Sequence, residues 1–209
     1  MRRLAIIPVF LAVASCASAP QAGGGERRGE SDAEMAELTA FLKAHMHARG
    51  QAKLERVELD EVQRLCNRYA DNPPPELAKR VEQAQLASIV YPSGSLLGDW
   101  KSGEKIAQSG RGMTWRDKPG QSGGSCYNCH QISPAVEAHG TIGPSLAGFG
   151  KLRGYGPDIQ RYVYGKIYNA KAYNACSHMP RFGHSGTLSE QQIKDLTALL
   201  LDPASPVNQ

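Results

Sequence analysis

Cys126-Tyr127-Asn128-Cys129-His130 places two thiols and an imidazole within one short run. Thiols at this spacing can add to the two vinyl groups of one porphyrin, and the imidazole that follows then reaches the iron. A Cys-x-x-Cys-His run is the attachment signature of a c-type haem. Three other readings exist for such a run: a zinc half-site, a thioredoxin-like redox pair, and chance. A zinc site needs a second Cys/His pair at finger-like spacing, which the sequence does not supply. A redox pair needs a βαβ setting, which is also missing. The run predicts one covalently bound haem c, with Cys126 and Cys129 as thioethers and His130 as an iron ligand.

A second iron ligand is sought downstream. Met179, in Ser177-His178-Met179-Pro180-Arg181-Phe182-Gly183, is the candidate, because the proline after it stiffens a loop that must hold a sulfur in place. Met35 and Met46 belong to the N-terminal part, and Met113 precedes the attachment run. His178, His184 and Cys176 compete from the same loop. A thioether raises the potential of the iron, whereas a thiolate lowers it.

The chain's start fits a haem fitted outside the cytoplasm. Arg2-Arg3 followed by the apolar run Leu4 to Val13 has the form of an export signal, too short for a permanent span. It ends at Val13-Ala14-Ser15-Cys16, similar to the lipobox at which bacterial lipoproteins are cut and acylated on the Cys. Residues 1–15 are thus read as signal and Cys16 as a lipid anchor, in a periplasmic protein. Cleavage after Ala19 is the alternative. Losing Arg2 and Arg3 removes two of 24 basic residues, against 20 acidic ones, a near-balance that gives no argument for nucleic acid. With Cys16, Cys126 and Cys129 assigned, Cys66 and Cys176 remain. In an oxidising compartment that pair suggests a disulfide, with two separate buried thiols or Cys176 at the iron as alternatives.

The elements that must position these groups are all helical. Residues 16–33, rich in Gly and charge, read as a tether. Residues 34–90 read as a helical N-terminal extension: one helical stretch from Glu34 to Tyr69 broken at Gly50, then Glu76 to Val90 after Pro73-Pro74-Pro75. Residues 91–209 read as the haem domain. A first helix carries Trp100, Gly103, Ile106 and Ala107. A middle one carries the stripe Ile159, Tyr162, Val163, Ile167. The last starts at the capping box Ser189-Glu190-Gln191-Gln192 and buries Ile193, Leu196, Leu199 and Leu200. Glycine in the first helix would let the last approach closely.

From Tyr91 onward this layout resembles a class I cytochrome c. More particular runs resemble the SoxX family, the c-type cytochrome subunits of SoxAX complexes in bacterial thiosulfate oxidation. These are Gly98-Asp99-Trp100-Lys101-Ser102-Gly103-Glu104-Lys105, Gly123-Gly124-Ser125, and Gly140-Thr141-Ile142-Gly143-Pro144-Ser145-Leu146. Further on they are Val163-Tyr164-Gly165-Lys166-Ile167-Tyr168-Asn169, Cys176 to Gly183, and Leu201-Asp202-Pro203-Ala204-Ser205-Pro206-Val207-Asn208. The resemblance implies that Pro144 gives its carbonyl to the proximal histidine. It implies an electron-transfer subunit of an L-cysteine S-thiosulfotransferase, paired with SoxA, which carries the bond-forming site. Electrons released when thiosulfate joins the carrier cysteine of SoxYZ would pass through this subunit to a downstream cytochrome c. A free-standing electron-transfer cytochrome, periplasmic or membrane-anchored, is the alternative.

Overall fold

The structure, a computed structural model, describes residues 29–118 and 120–209; the signal and Cys16 lie outside the described residues. The helices are α1 (Asp32–His45), α2 (Glu61–Arg68), α3 (Pro75–Ala87), α4 (Trp100–Gln108), α5 (Phe149–Arg153), α6 (Pro157–Tyr168) and α7 (Glu190–Leu201). Among the described residues there is no β-strand, only a bridge between Arg49 and Ala52, so the fold is all-α. No described helix is long and apolar enough to cross a membrane.

The helical stretch from Glu34 to Tyr69, read with a break at Gly50, is two helices, and the interruption between them is longer than a single break, running from Met46 to Asp60. Ser31 and Glu34 form a capping box that starts α1, which stops at His45, before Gly50. Gly50 then turns at a left-handed φ of 54°, and a 3₁₀ turn at Leu54–Val57 follows. Asp60 starts α2 with its own capping box to Gln63. A side-chain cap of this kind is worth about 1 kcal/mol, enough to favour a fresh start over a continuous helix. The helix α3 begins with Pro75 at its first position, where the missing N–H costs nothing.

The main core is built on α7, whose residues from Ile193 to Leu201 are almost all buried. Its Ser189–Gln192 capping box is present. Helix α4 crosses it at backbone contact: a Cβ on Gly103 would lie 2.2 Å from the carbonyl oxygen of Asp195. The same Asp195 accepts the Asp99 N–H at 2.9 Å through its carboxylate, fixing the start of α4 on α7. Helix α6 adds Val163, Tyr164 and Ile167 to this core. Tyr162, placed on the buried stripe by spacing, is instead 40% exposed, while Tyr164 is the buried tyrosine. The core-facing stripe is rotated by one side chain, and Tyr162 rests edge-on against Tyr173 at 5.0 Å.

Asn208 ties the end of the chain to two helix termini. Its Oδ1 accepts the Gly150 N–H at 2.8 Å at the start of α5. Its Nδ2 donates to the carbonyls of Leu200 at 3.1 Å and Asp202 at 2.9 Å at the end of α7. One buried amide thus satisfies orphan groups of both helices.

A second, smaller core lies apart from the first. Cys66, Ala175 and Cys176 form it, with Val62 and Leu65 of α2 and Ala78 and Val81 of α3 packed around them. Its centre is a Cys66–Cys176 disulfide closing a sequence separation of 110 residues.

Candidate haem site

The run Cys126–Asn128 forms a 3₁₀ turn, entered through Ser125 at a left-handed φ of 51°. The turn hangs from the end of α4: Gly124 N–H donates to the Ile106 carbonyl at 2.8 Å, and Ser125 N–H to that of Ser109 at 3.0 Å. Gly124 has no room for a side chain, since a Cβ would lie 2.8 Å from the Cys126 sulfur. Cys126 and Cys129 are half-buried and not bonded to each other. Burial pushes the Cys126 thiol up to about 12.

The loop from Gly140 to Leu146 laces onto the segment that carries the histidine. Gly140 N–H donates to the Tyr127 carbonyl at 2.8 Å, Gly143 N–H to that of Cys129 at 2.8 Å, and Leu146 N–H to that of Gln131 at 2.7 Å. Two consequences follow for His130. Its Nδ1 lies 2.7 Å from the Pro144 carbonyl oxygen. A carbonyl only accepts, so Nδ1 carries the proton, and Nε2 of the neutral ring keeps its lone pair. The ring also lies flush on Gly143, where a Cβ would sit 2.2 Å from His130 Cε1.

Met179 is half-buried against the main core, where Cys126, Tyr127 and Leu146 also pack. Its N–H donates to Ser177 Oγ at 3.2 Å. The competing ligands in its loop are differently engaged. Cys176 is in the disulfide. His178 turns outward, 80% exposed, with Nε2 at 3.0 Å from Asp71 Oδ2. For His184, burial and then the neighbouring Arg181 cation push the ring below its usual range. Away from this loop, His139 Nδ1 lies 3.1 Å from the Gly140 carbonyl. The ligand atoms of Cys66, Asp71 and Cys176 cluster within 4.8 Å of one another. With the two sulfurs joined to each other and Asp71 held by His178, the cluster makes no metal site.

The attachment residues fit a covalent haem. Two thiols are unpaired, one imidazole nitrogen has a free lone pair while the other is tied down, and a glycine cradles the ring. The sequence marks Gly143 as part of a Gly-Pro run but not its contact with the imidazole, and it does not mark Asp60, Asp71 and Glu82, which meet Arg181, His178 and the Ala175 N–H beside Met179. The Asp60-x-x-Gln63 capping signature alone could have flagged one of them.

No family model matches the chain. Among solved structures, it is similar to SoxXA from P. pantotrophus, at 28% identity and a TM-score of 0.40, over 60% of this chain and 95% of that one. A protein named "Uncharacterized lipoprotein" from Aquifex aeolicus (strain VF5) is 37% identical over 158 residues, 72% of this chain and 73% of that protein. The chain belongs to the same family as this Aquifex aeolicus lipoprotein.

Proposed function

We propose that this chain is a mono-haem c-type cytochrome and the electron-accepting subunit of a SoxAX-type complex. Cys126 and Cys129 hold the haem as thioethers, and His130 and Met179 ligate its iron. The observation that carries the haem reading is the 2.7 Å bond from His130 Nδ1–H to the Pro144 carbonyl. It fixes the ring, leaves Nε2 as the nitrogen available to a metal and raises its basicity, as partners behind a metal ligand do. A bound haem supplies a centre that takes up and releases one electron.

The residues around it hold and shield. Gly143 lets the Gly140–Leu146 loop lie against the imidazole, and the half-buried side chains of Ile106, Leu146 and Met179 would present apolar surface to the ring. The SoxAX assignment rests on the sequence runs from Gly98 to Asn208. In that role SoxA is the partner and bears the bond-forming site, SoxYZ carries the cysteine that receives thiosulfate, and a downstream cytochrome c takes the electrons. A lipid on Cys16 would hold the chain at a membrane facing the periplasm, consistent with the lipoprotein name of the relative.

The haem is tested on a denaturing gel. Covalent haem stays with the wild-type chain, seen by its peroxidase stain, and is lost from a chain bearing Cys126→Ala and Cys129→Ala. The assignment is tested by co-expressing the tagged chain with SoxA: a stoichiometric complex supports it, and a lone cytochrome contradicts it.

A further inference from the structure

The helices α2 and α3, with the residues that flank α2, meet the segment that carries Met179 at five places. Asn169 Nδ2 donates to Gln85 Oε1 at 3.0 Å and lies 3.3 Å from Ser88 Oγ. Ala175 N–H donates to Glu82 Oε1 at 3.1 Å. Cys176 is joined to Cys66. His178 meets Asp71 at 3.0 Å. Arg181, its side chain 13% exposed, forms an ion pair with Asp60. These points lie on both sides of Met179, whereas Met179's own hydrogen bond, to Ser177, stays within the loop.

The second core sharpens the point. Cys66, Ala175 and Cys176 are its buried members, so α2 contributes one half and the loop the other. Neither half buries its apolar surface without its partner. An open groove of about 410 Å³ runs along this junction and is lined by Cys66, Lys171, Cys176, Met179 and Arg181. Met179 therefore stands between the open groove and the main core. A loop free to swing would let water or a small ligand past it.

We propose that α2 and α3 are a clasp for the Met179 loop, with Asp60, Cys66 and Cys176 as positioning residues that keep the thioether on the iron. This rests on the reading of Met179 as an iron ligand. None of these five contacts involves the attachment turn or His130, so the clasp acts through the loop. Its loss therefore leaves attachment intact and frees the sixth position.

The test measures binding of imidazole to the ferric holoprotein, which requires Met179 to leave. Apparent affinity for such a competitor scales with the fraction of molecules whose sixth position is free. In the double variant Cys66→Ser, Cys176→Ser the affinity is expected to rise about tenfold or more, on the same relation. Asp60→Asn is the second variant. Asparagine still caps α2 and the disulfide remains, so the fold is kept while the Arg181 ion pair is lost. A smaller rise in affinity is expected there, with a weakened charge-transfer band of the methionine-ligated ferric haem. Met179→Ala is the control. If Met179→Ala binds imidazole much more tightly than wild type but both clasp variants match wild type, the clasp is overturned and the ligand assignment stands. If Met179→Ala itself matches wild type, both fall together.

Discussion

The Nδ1 atom of His130 lies 2.7 Å from the carbonyl oxygen of Pro144, and the ring rests on Gly143 with no space between them for a methyl group. The bond uses a backbone acceptor, so the side chain of residue 144 matters less than the absence of one at residue 143. Gly143→Ala should push the imidazole off its carbonyl. Disturbing the partner behind a metal ligand costs about 10-fold or more in metal affinity or activity. The ratio of haem absorbance to protein should drop accordingly, while Pro144→Ala should leave it near wild type. Equal haem content in Gly143→Ala and wild type would contradict this.

Asn208 should matter to stability although none of its hydrogen bonds reaches a haem-site residue. Asn208→Ala removes the acceptor of the Gly150 N–H and the donor to Leu200 and Asp202. Leaving such buried groups unpaired costs about 1–3 kcal/mol, with the low end excluded here because two helix ends lose their cap. Urea unfolding should show a lower midpoint with an unchanged slope. A midpoint equal to wild type would remove Asn208 from this role.

Thiol counting follows from the disulfide. When the mature holoprotein is unfolded without reductant, no cysteine should react with iodoacetamide; after reduction, Cys66 and Cys176 should both react. Labelling of either before reduction would contradict the pairing. In the chain-entropy account, a loop as long as the separation of 110 residues implies roughly 4–5 kcal/mol of stabilisation.

Acid should loosen the grip of α2 on the loop. Burial pushes the Asp60 carboxyl up, but the Gln63 N–H and the Arg181 guanidinium more than offset it, leaving the group below its ordinary 3.8. A carboxyl lowered by folding contributes stability that is complete above 3.8 and fades as pH falls through its folded value. Asp60→Asn should therefore be less stable than wild type at neutral pH, and the gap should close below 3.8. A gap that is constant with pH would contradict the ion pair's contribution.

Much of this structure was legible where the signal is local. The attachment run is contiguous, the Ser189–Gln192 capping box is four residues long, and Gly103 sits on an evident apolar face. The extension was harder to read. The break at Gly50 was legible, but not its length, because the Asp60–Gln63 capping box starts the second helix only at Glu61. Tyr162 was misplaced because the buried face of α6 is centred on Val163, Tyr164 and Ile167; Tyr164 lies about 200° around the helix from Tyr162, which rests against Tyr173 instead. The grip on the Met179 loop joins Asp60 to Arg181 and Asp71 to His178, and no local periodicity encodes contacts between residues so far apart in sequence. Only Cys66 and Cys176 announced that contact, through an even cysteine remainder.

The central claim is that His130 and Met179 bind one iron in a haem fixed at Cys126 and Cys129. It is tested most directly by optical spectra of the holoprotein purified from the periplasm, for wild type and Met179→Ala. The account predicts haem that resists acid–acetone extraction, with the weak red-end charge-transfer band of methionine-ligated ferric iron in wild type and its loss in Met179→Ala. Extractable haem, or a band that survives in Met179→Ala, would contradict it.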